Sequence, residues 1–219
     1  MIPLSVGLLL ENRAVLLVGG GPVALGKLGR LLAAGANVTV VAPAVLAEIE
    51  SAAASGQVLI RKKQFDPSDL DGMWLCLTAT GRDRVDQQVF AACEARHLLC
   101  NAADVPESCS IYLMAQENLP PIQLAVGTTG LAPGLAGRLS REARAAWPED
   151  IAKLVQKYGK LRRWLIAQHP GQQAQPLRSA TLRWLAQQPW VFFRQKESEL
   201  RKKTEAAYRA LDVPDTPPL

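Results

Sequence analysis

The stretch VLLVGGGPVALGKLGRLLAAGANVTVVAP, Val15 to Pro43, decides how this chain folds. Four apolar residues run into three glycines, apolar residues then recur at helical spacing, and a second β-branched run follows at Asn37 to Val41. Strand, tight turn, helix and strand in that order make a βαβ unit. Within it, Gly19, Gly21 and Ala24 stand in a GxGxxA arrangement. Gly19 permits the tight turn, Gly21 lets a pyrophosphate approach the backbone, and Ala24 lets helix and strand pack closely. Unpaired N–H groups at the helix start then face the anion. A purely structural turn is the plainer alternative, but the strand before and the amphipathic helix after favour dinucleotide binding. The candidate contacts are Gly19, Gly20, Gly21, Pro22, Val23 and Ala24.

Working outward, strand and helix keep alternating up to about residue 110, the pattern of a parallel sheet with helices on its faces. The first strand spans Ala14 to Val18, with a helix over Val23 to Ala34, the second strand over Asn37 to Val41 and a second helix over Ala44 to Ala54. A third strand follows at Gln57 to Arg61, a fourth at Met73 to Thr78, a helix with an acidic first turn at Asp83 to Arg96, and a fifth strand at Leu98 to Ala102. The second strand ends in Val41, Ala42 and Pro43, where NAD-binding folds usually place an acid for the adenosine ribose. Neither that acid nor an arginine for the extra phosphate of NADP stands there, so the residues leave both cofactors open and backbone groups near Val41 and Ala42 to hold the ribose. At the carboxyl ends of the fourth and fifth strands, Thr78, Ala79, Thr80 and Asn101 complete the expected cofactor contacts.

Beyond Asp104 two further strands are predicted, Ser110 to Ala115 and Ile122 to Val126, paired antiparallel and separated by a turn over Glu117 to Pro121. The glycine-rich GTTGLAPG, Gly127 to Gly134, leads into a helix from Leu135 to Ala146 that Pro148 ends. From there the pattern is helical, over 149–168 and 177–210, with Leu154, Tyr158, Leu161, Leu165, Leu182 and Leu185 on apolar faces. The ending VPDTPPL reads as a loose tail.

The chain has 219 residues, 48% of them hydrophobic, enough for a substantial core. No apolar run approaches the roughly 20 residues of a membrane span, and the first residues lack a secretory pattern. A cytoplasmic protein is expected. Cys76, Cys93, Cys100 and Cys109 form no CxxC pair and read as free, mostly buried thiols; with only His97 and His169 besides, no protein-held metal is expected. The net charge of +5 is uneven: residues 1–150 carry 12 Lys/Arg against 15 Asp/Glu, and 151–219 carry 13 against 5. Such a basic segment suits a solvated helix face, a polycarboxylate ligand or nucleic acid. Trp164, Trp184 and Trp190, spread through it, read as core or pocket wall.

Four separated motifs, VGGGPVALGKLGRLLAAGANVTVVAP, LCLTATGRDRVDQQV, CNAADVPESCSIYL and TTGLAPGLAGRL, together resemble the precorrin-2 dehydrogenase family, which includes the amino-terminal half of multifunctional sirohaem synthases. The likeness runs from about residue 4 to 146 and more loosely into the tail at KYGKLR. It implies oxidation of precorrin-2 to sirohydrochlorin with NAD as cofactor, in some members Fe(II) insertion into the product, and a homodimer formed through the region after the Rossmann sheet. The family's key acid, in an asparagine-x-x-aspartate-x-proline loop, matches Asp104 within Asn101 to Pro106. The residues agree with that role, because ligands of a doubly wound sheet sit beyond the strands' carboxyl ends and a carboxylate there can act as general base. Many members carry serines in the second glycine-rich segment; here Thr128 keeps a hydroxyl and Ala132 has none. Thr128 and Gly130 are therefore candidate substrate contacts, with a threonine-capped helix start as the plainer reading. The substrate's eight carboxylates call for cations at the rim, and Arg138 and Arg141 are the candidates.

The expected architecture is thus α/β: a Rossmann-type domain over 1–112, a small α+β dimerisation region over 113–147 and a helical domain over 148–219. Expected partners are the tetrapyrrole and a second copy of the chain, with neither nucleic acid nor membrane. The competing reading is a non-catalytic NAD(H)-sensing module whose basic tail binds nucleic acid or a protein, which would not need Asp104.

Overall fold

The computed structural model describes residues 3–102 and 109–211. Its contacts divide the chain into two compact units, residues 1–114 with 127–133 and residues 115–126 with 134–219.

The first unit is a parallel sheet in the order β3-β2-β1-β4-β5. Its strands are β1 (Ala14–Val18), β2 (Asn37–Val41), β3 (Val58–Arg61), β4 (Leu75–Thr78) and β5 (Leu99–Ala102). Period-two alternation sorts their side chains onto two buried faces, which is why the strands read as continuous apolar runs. Val15 and Leu17 of β1 join Val38, Val40, Leu75 and Leu77 beneath α1 (Pro22–Ala33) and α2 (Ala47–Ala54), meeting Ala24, Leu28, Leu31 and Ile49. Leu16 and Val18 point the other way, toward Val89 and Cys93 of α3 (Asp83–Glu94). Connections leave β1 toward β2 on one side and reach β4 on the other, so the chain reverses direction across the sheet between β1 and β4. A crevice opens at such a reversal, beyond the strands' carboxyl ends.

The expected α/β plan is borne out, with shifts at individual ends. α2 starts at Ala47 rather than Ala44, because the chain after Pro43 is first tied back to the glycine turn by the Leu46 N–H donating to the Gly20 carbonyl at 2.9 Å. The strand expected over Ser110 to Ala115 does not form. Ser110 is drawn to the end of β5 instead: its N–H donates to the Cys100 carbonyl at 2.9 Å and its hydroxyl accepts from the Cys100 N–H at 2.7 Å. The strand lies later, at β6 (Ala115–Leu119), and runs through most of the segment expected to be a turn; only Pro120 and Pro121, joined by a cis peptide, separate it from β7 (Ile122–Val126). β6 and β7 pair antiparallel, Ala115 opposite Val126.

Among its described residues the second unit contains that ribbon and four helices, α4 (Pro133–Ala145), α5 (Ile151–Gln168), α6 (Gln175–Ala186) and α7 (Glu197–Ala210), with a 3₁₀ turn at Trp190–Arg194. Leu154, Leu161, Leu185, Phe192, Phe193 and Leu200 form its core, with Tyr158, Leu182 and Trp184 against it. The Tyr158 hydroxyl donates to the Leu182 carbonyl at 3.1 Å. Trp190, expected in a core or pocket wall, is instead 47% exposed. The ending 212–219 lies outside the described residues.

Candidate dinucleotide cleft

The crevice between β1 and β4 is a cleft of about 460 Å³ bounded by the glycine turn, the end of β2 and the turn after β4. Each glycine has its own reason to be there. Gly19 has φ +126°, and a Cβ on it would press into the carbonyl of Ala79 far inside van der Waals distance. Gly20 is as confined, against the Ala44 carbonyl. A Cβ on Gly21 would meet nothing within 4 Å. The space over Gly21 is therefore the open cradle that a pyrophosphate needs, and Gly21 caps α1 with no side chain on the first-turn N–H groups. The turn is pinned from below: the Gly19 N–H donates to the Val41 carbonyl at 3.0 Å, and the Ala79 N–H to the Val18 carbonyl at 2.8 Å.

Of the expected cofactor contacts, Gly19, Gly20, Gly21, Pro22, Val23, Val41, Ala42, Pro43, Ala79 and Thr80 all line this cleft. Ala24, Thr78 and Asn101 do not. Ala24 is fully buried beneath the turn, in the packing role small residues serve there. Thr78 is buried too, its hydroxyl donating to Asp86. The Asp86 carboxylate also accepts from the Thr80 hydroxyl at 2.8 Å, and the same hydroxyl accepts from the Arg82 N–H at 3.1 Å, so one buried acid shapes the turn between β4 and α3. The acidic first turn of α3 was visible in the sequence; its inward aim was not. Gln64, Phe65, Arg82 and Gln88 also line the cleft and were not anticipated. Gln64 and Phe65 lie in an irregular segment after β3 that carries no motif.

Asn101 ties neighbouring segments together. Lys27, on α1, donates to the Asn101 Oδ1 at 2.9 Å and to the Thr78 carbonyl at 2.8 Å. The Asn101 amide in turn donates to the Ile111 carbonyl at 3.0 Å. Asn101 and Ile111, the described residues on either side of 103–108, are thereby held to each other and to α1, while Asp104 itself lies outside the described residues. Thr128 and Gly130 count with the first unit, Arg138 and Arg141 with the second. The Thr128 hydroxyl accepts from the Ala132 N–H at 3.2 Å, a capping geometry, within a turn where Gly130 has φ +82°. Arg138 donates to Glu142 at 2.7 Å on the exposed side of α4. A second hollow, on α5 and α7, is lined by Trp164, Arg201, Glu205 and Arg209; its Arg201 and Glu205 are already engaged with Glu197 and with His169 and Arg209.

Residues 6–115 match the family described as "Putative NAD(P)-binding". The chain belongs to this NAD(P)-binding family. The cleft supplies the physical content of that membership, a glycine turn held open over Gly21 at the reversal of the sheet. Among individual relatives, Siroheme synthase 1 of Aeromonas hydrophila is 37% identical over 153 residues, covering 70% of this chain and 33% of that protein. Siroheme synthase 2 of Cronobacter sakazakii is 38% identical over 154 residues, again 70% of this chain and 34% of that protein. The chain thus spans about a third of the length of these curated relatives. The solved structure of SirC, a precorrin-2 dehydrogenase, superposes with a TM-score of 0.72 at 26% identity, covering 93% of this chain and all of that one. The likeness to SirC takes in the helical unit, beyond the reach of the NAD(P)-binding match.

Proposed function

We propose that this chain oxidises precorrin-2 to sirohydrochlorin, with NAD as hydride acceptor, in sirohaem biosynthesis. The observation that carries the reading is the full-length likeness to a precorrin-2 dehydrogenase, in a chain whose glycine cleft is open where the cofactor's pyrophosphate belongs. NAD bound in the cleft supplies the acceptor for one hydride. The turn from Gly19 to Val23 would hold it, the first-turn N–H groups of α1 facing the pyrophosphate and the Val41 to Pro43 backbone being available to the ribose. The substrate loses two electrons and two protons in all: one proton leaves with the hydride and the other goes to a base. Asp104 is the group we assign to that proton, three residues beyond Asn101, which is itself held by Lys27 and bonded to the Ile111 carbonyl. Thr128, Gly130, Arg138 and Arg141 are assigned to the carboxylate-rich substrate. The product, with four inward nitrogens, is also a substrate for Fe(II) insertion.

Two copies of the chain form the working enzyme in this reading, joined through the region 113–147. Leu135 and Leu139, one turn apart on α4, are 49% and 42% exposed and supply an apolar stripe for that contact. No helix among the described residues is long and apolar enough to cross a membrane, and this reading places the enzyme in the cytoplasm.

The test is incubation of the purified protein with precorrin-2 and NAD while following the sirohydrochlorin spectrum, with Fe(II) or Co(II) added afterwards. Absence of a spectral change in the first step overturns the dehydrogenase reading; a change in the first step alone removes the chelatase. Asp104→Ala is expected to bind NAD and to lose turnover.

A further inference from the structure

The spacing of the cysteines suggests no metal site, yet three of them meet in space. Cys76 on β4 and Cys100 on β5 are register partners on adjacent parallel strands, and Cys93 comes down on them from the last turn of α3. All three are fully buried, and their sulfurs lie within 4.8 Å of one another. They share a buried apolar cluster with Leu16, Val18, Val89 and Leu70. Three sulfurs this close together form a donor set of one kind, soft and polarisable, which selects thiophilic metals over hard ones.

We propose that Cys76, Cys93 and Cys100 form a binding site for one soft monovalent cation of the copper(I) class, held by three sulfurs and independent of the dinucleotide cleft. Coordination number favours this ion over zinc. Structural zinc takes four ligands, and among the described residues no histidine or carboxylate joins the three sulfurs. Three sulfurs about 2.3 Å from one ion lie about 4 Å apart, so small side-chain rotations close the site. Each coordinating sulfur binds as the thiolate, so loading releases the thiol protons to solvent and changes no oxidation state. β5 is an edge strand, and the exposed turn Ala95–His97 follows Cys93, so local opening there is the path by which an ion enters, and loading is slow.

The experiment uses the reduced full-length protein, titrated with copper(I) against a chromogenic copper(I) chelator, followed by X-ray absorption at the copper edge. The expected result is one copper per chain retained against the chelator, with three sulfur neighbours at about 2.3 Å. Cys93→Ser and Cys76→Ala are expected to weaken retention at least 100-fold, while Cys109→Ser, altering the thiol outside the cluster, leaves it unchanged. No retained copper, a site with two sulfurs or with nitrogen or oxygen ligands, or loss of binding in Cys109→Ser overturns the proposal. Should a core cysteine variant fail to fold, the sulfur count on the unmutated protein still decides. None of these readouts involves precorrin-2, so failure here leaves the dehydrogenase reading standing, and the reverse.

Discussion

Gly19 and Gly21 belong to one turn but answer to different demands. Gly19 needs its positive φ and the absence of a Cβ facing the Ala79 carbonyl, so Gly19→Ala is expected to cost roughly 1–3 kcal/mol of stability, read as a lowered unfolding midpoint, together with NAD binding. At Gly21 nothing in the protein objects to a methyl group. Gly21→Ala should therefore keep its unfolding midpoint while calorimetry shows NAD binding weakened at least tenfold, about 1.4 kcal/mol. Both glycines were legible from spacing; which of them serves the fold and which the ligand was not, since that depends on what stands opposite each one. Lys27 is a position that spacing did not single out. It reaches from α1 to the Thr78 carbonyl and to Asn101, so Lys27→Met is expected to lower kcat for precorrin-2 oxidation at least tenfold with NAD affinity changed less than threefold. Unchanged kcat would remove Lys27 from the positioning of Asp104.

Among the elements, the short 3₁₀ turn Pro67–Leu70 shows how a charged residue becomes core. Asp66 and Asp69 form a reciprocal capping box, and Asp69, only 2% exposed, pairs with Arg61 at 2.9 Å and Lys63 at 2.8 Å. Burial pushes the Asp69 carboxyl up, but the bonds from Lys63, the Asp66 N–H and Arg61 outweigh it and hold the group below the usual carboxylate range. Because the folded value is the lower one, the stabilisation is present at neutral pH and is lost as pH falls below about 4 toward the folded value. Asp69→Asn should accordingly lower the unfolding temperature at pH 7 and flatten its decline between pH 5 and 3. The element the sequence misplaced is equally instructive. Ser110 to Ala115 has the apolar look of a strand, but Ser110 is held by Cys100, whereas Ala115–Leu119, with polar Gln116, Glu117 and Asn118, pairs with β7 across its whole length. Pairing partners, not local hydrophobicity, settled that register.

For the whole molecule, the NAD(P)-binding unit and the ribbon-and-helix unit differ in how much of their purpose can be read. If α4 supplies the contact between two copies, Leu135→Asp combined with Leu139→Asp should shift light scattering from a dimer to a monomer mass while far-ultraviolet circular dichroism stays unchanged; a persisting dimer places the interface elsewhere. The sequence by itself determined the parallel sheet, the glycine turn and the helical character of the second unit, because each depends on periodicity and on residues a few positions apart. Only the tertiary structure decided that Gln64, Phe65 and Arg82 line the cleft, that Asp86 braces the turn beside it, and that Cys76, Cys93 and Cys100 converge. Those groups lie far apart along the chain or in segments without a pattern, and the order in which strands lie side by side, which no local spacing encodes, is what brings them together.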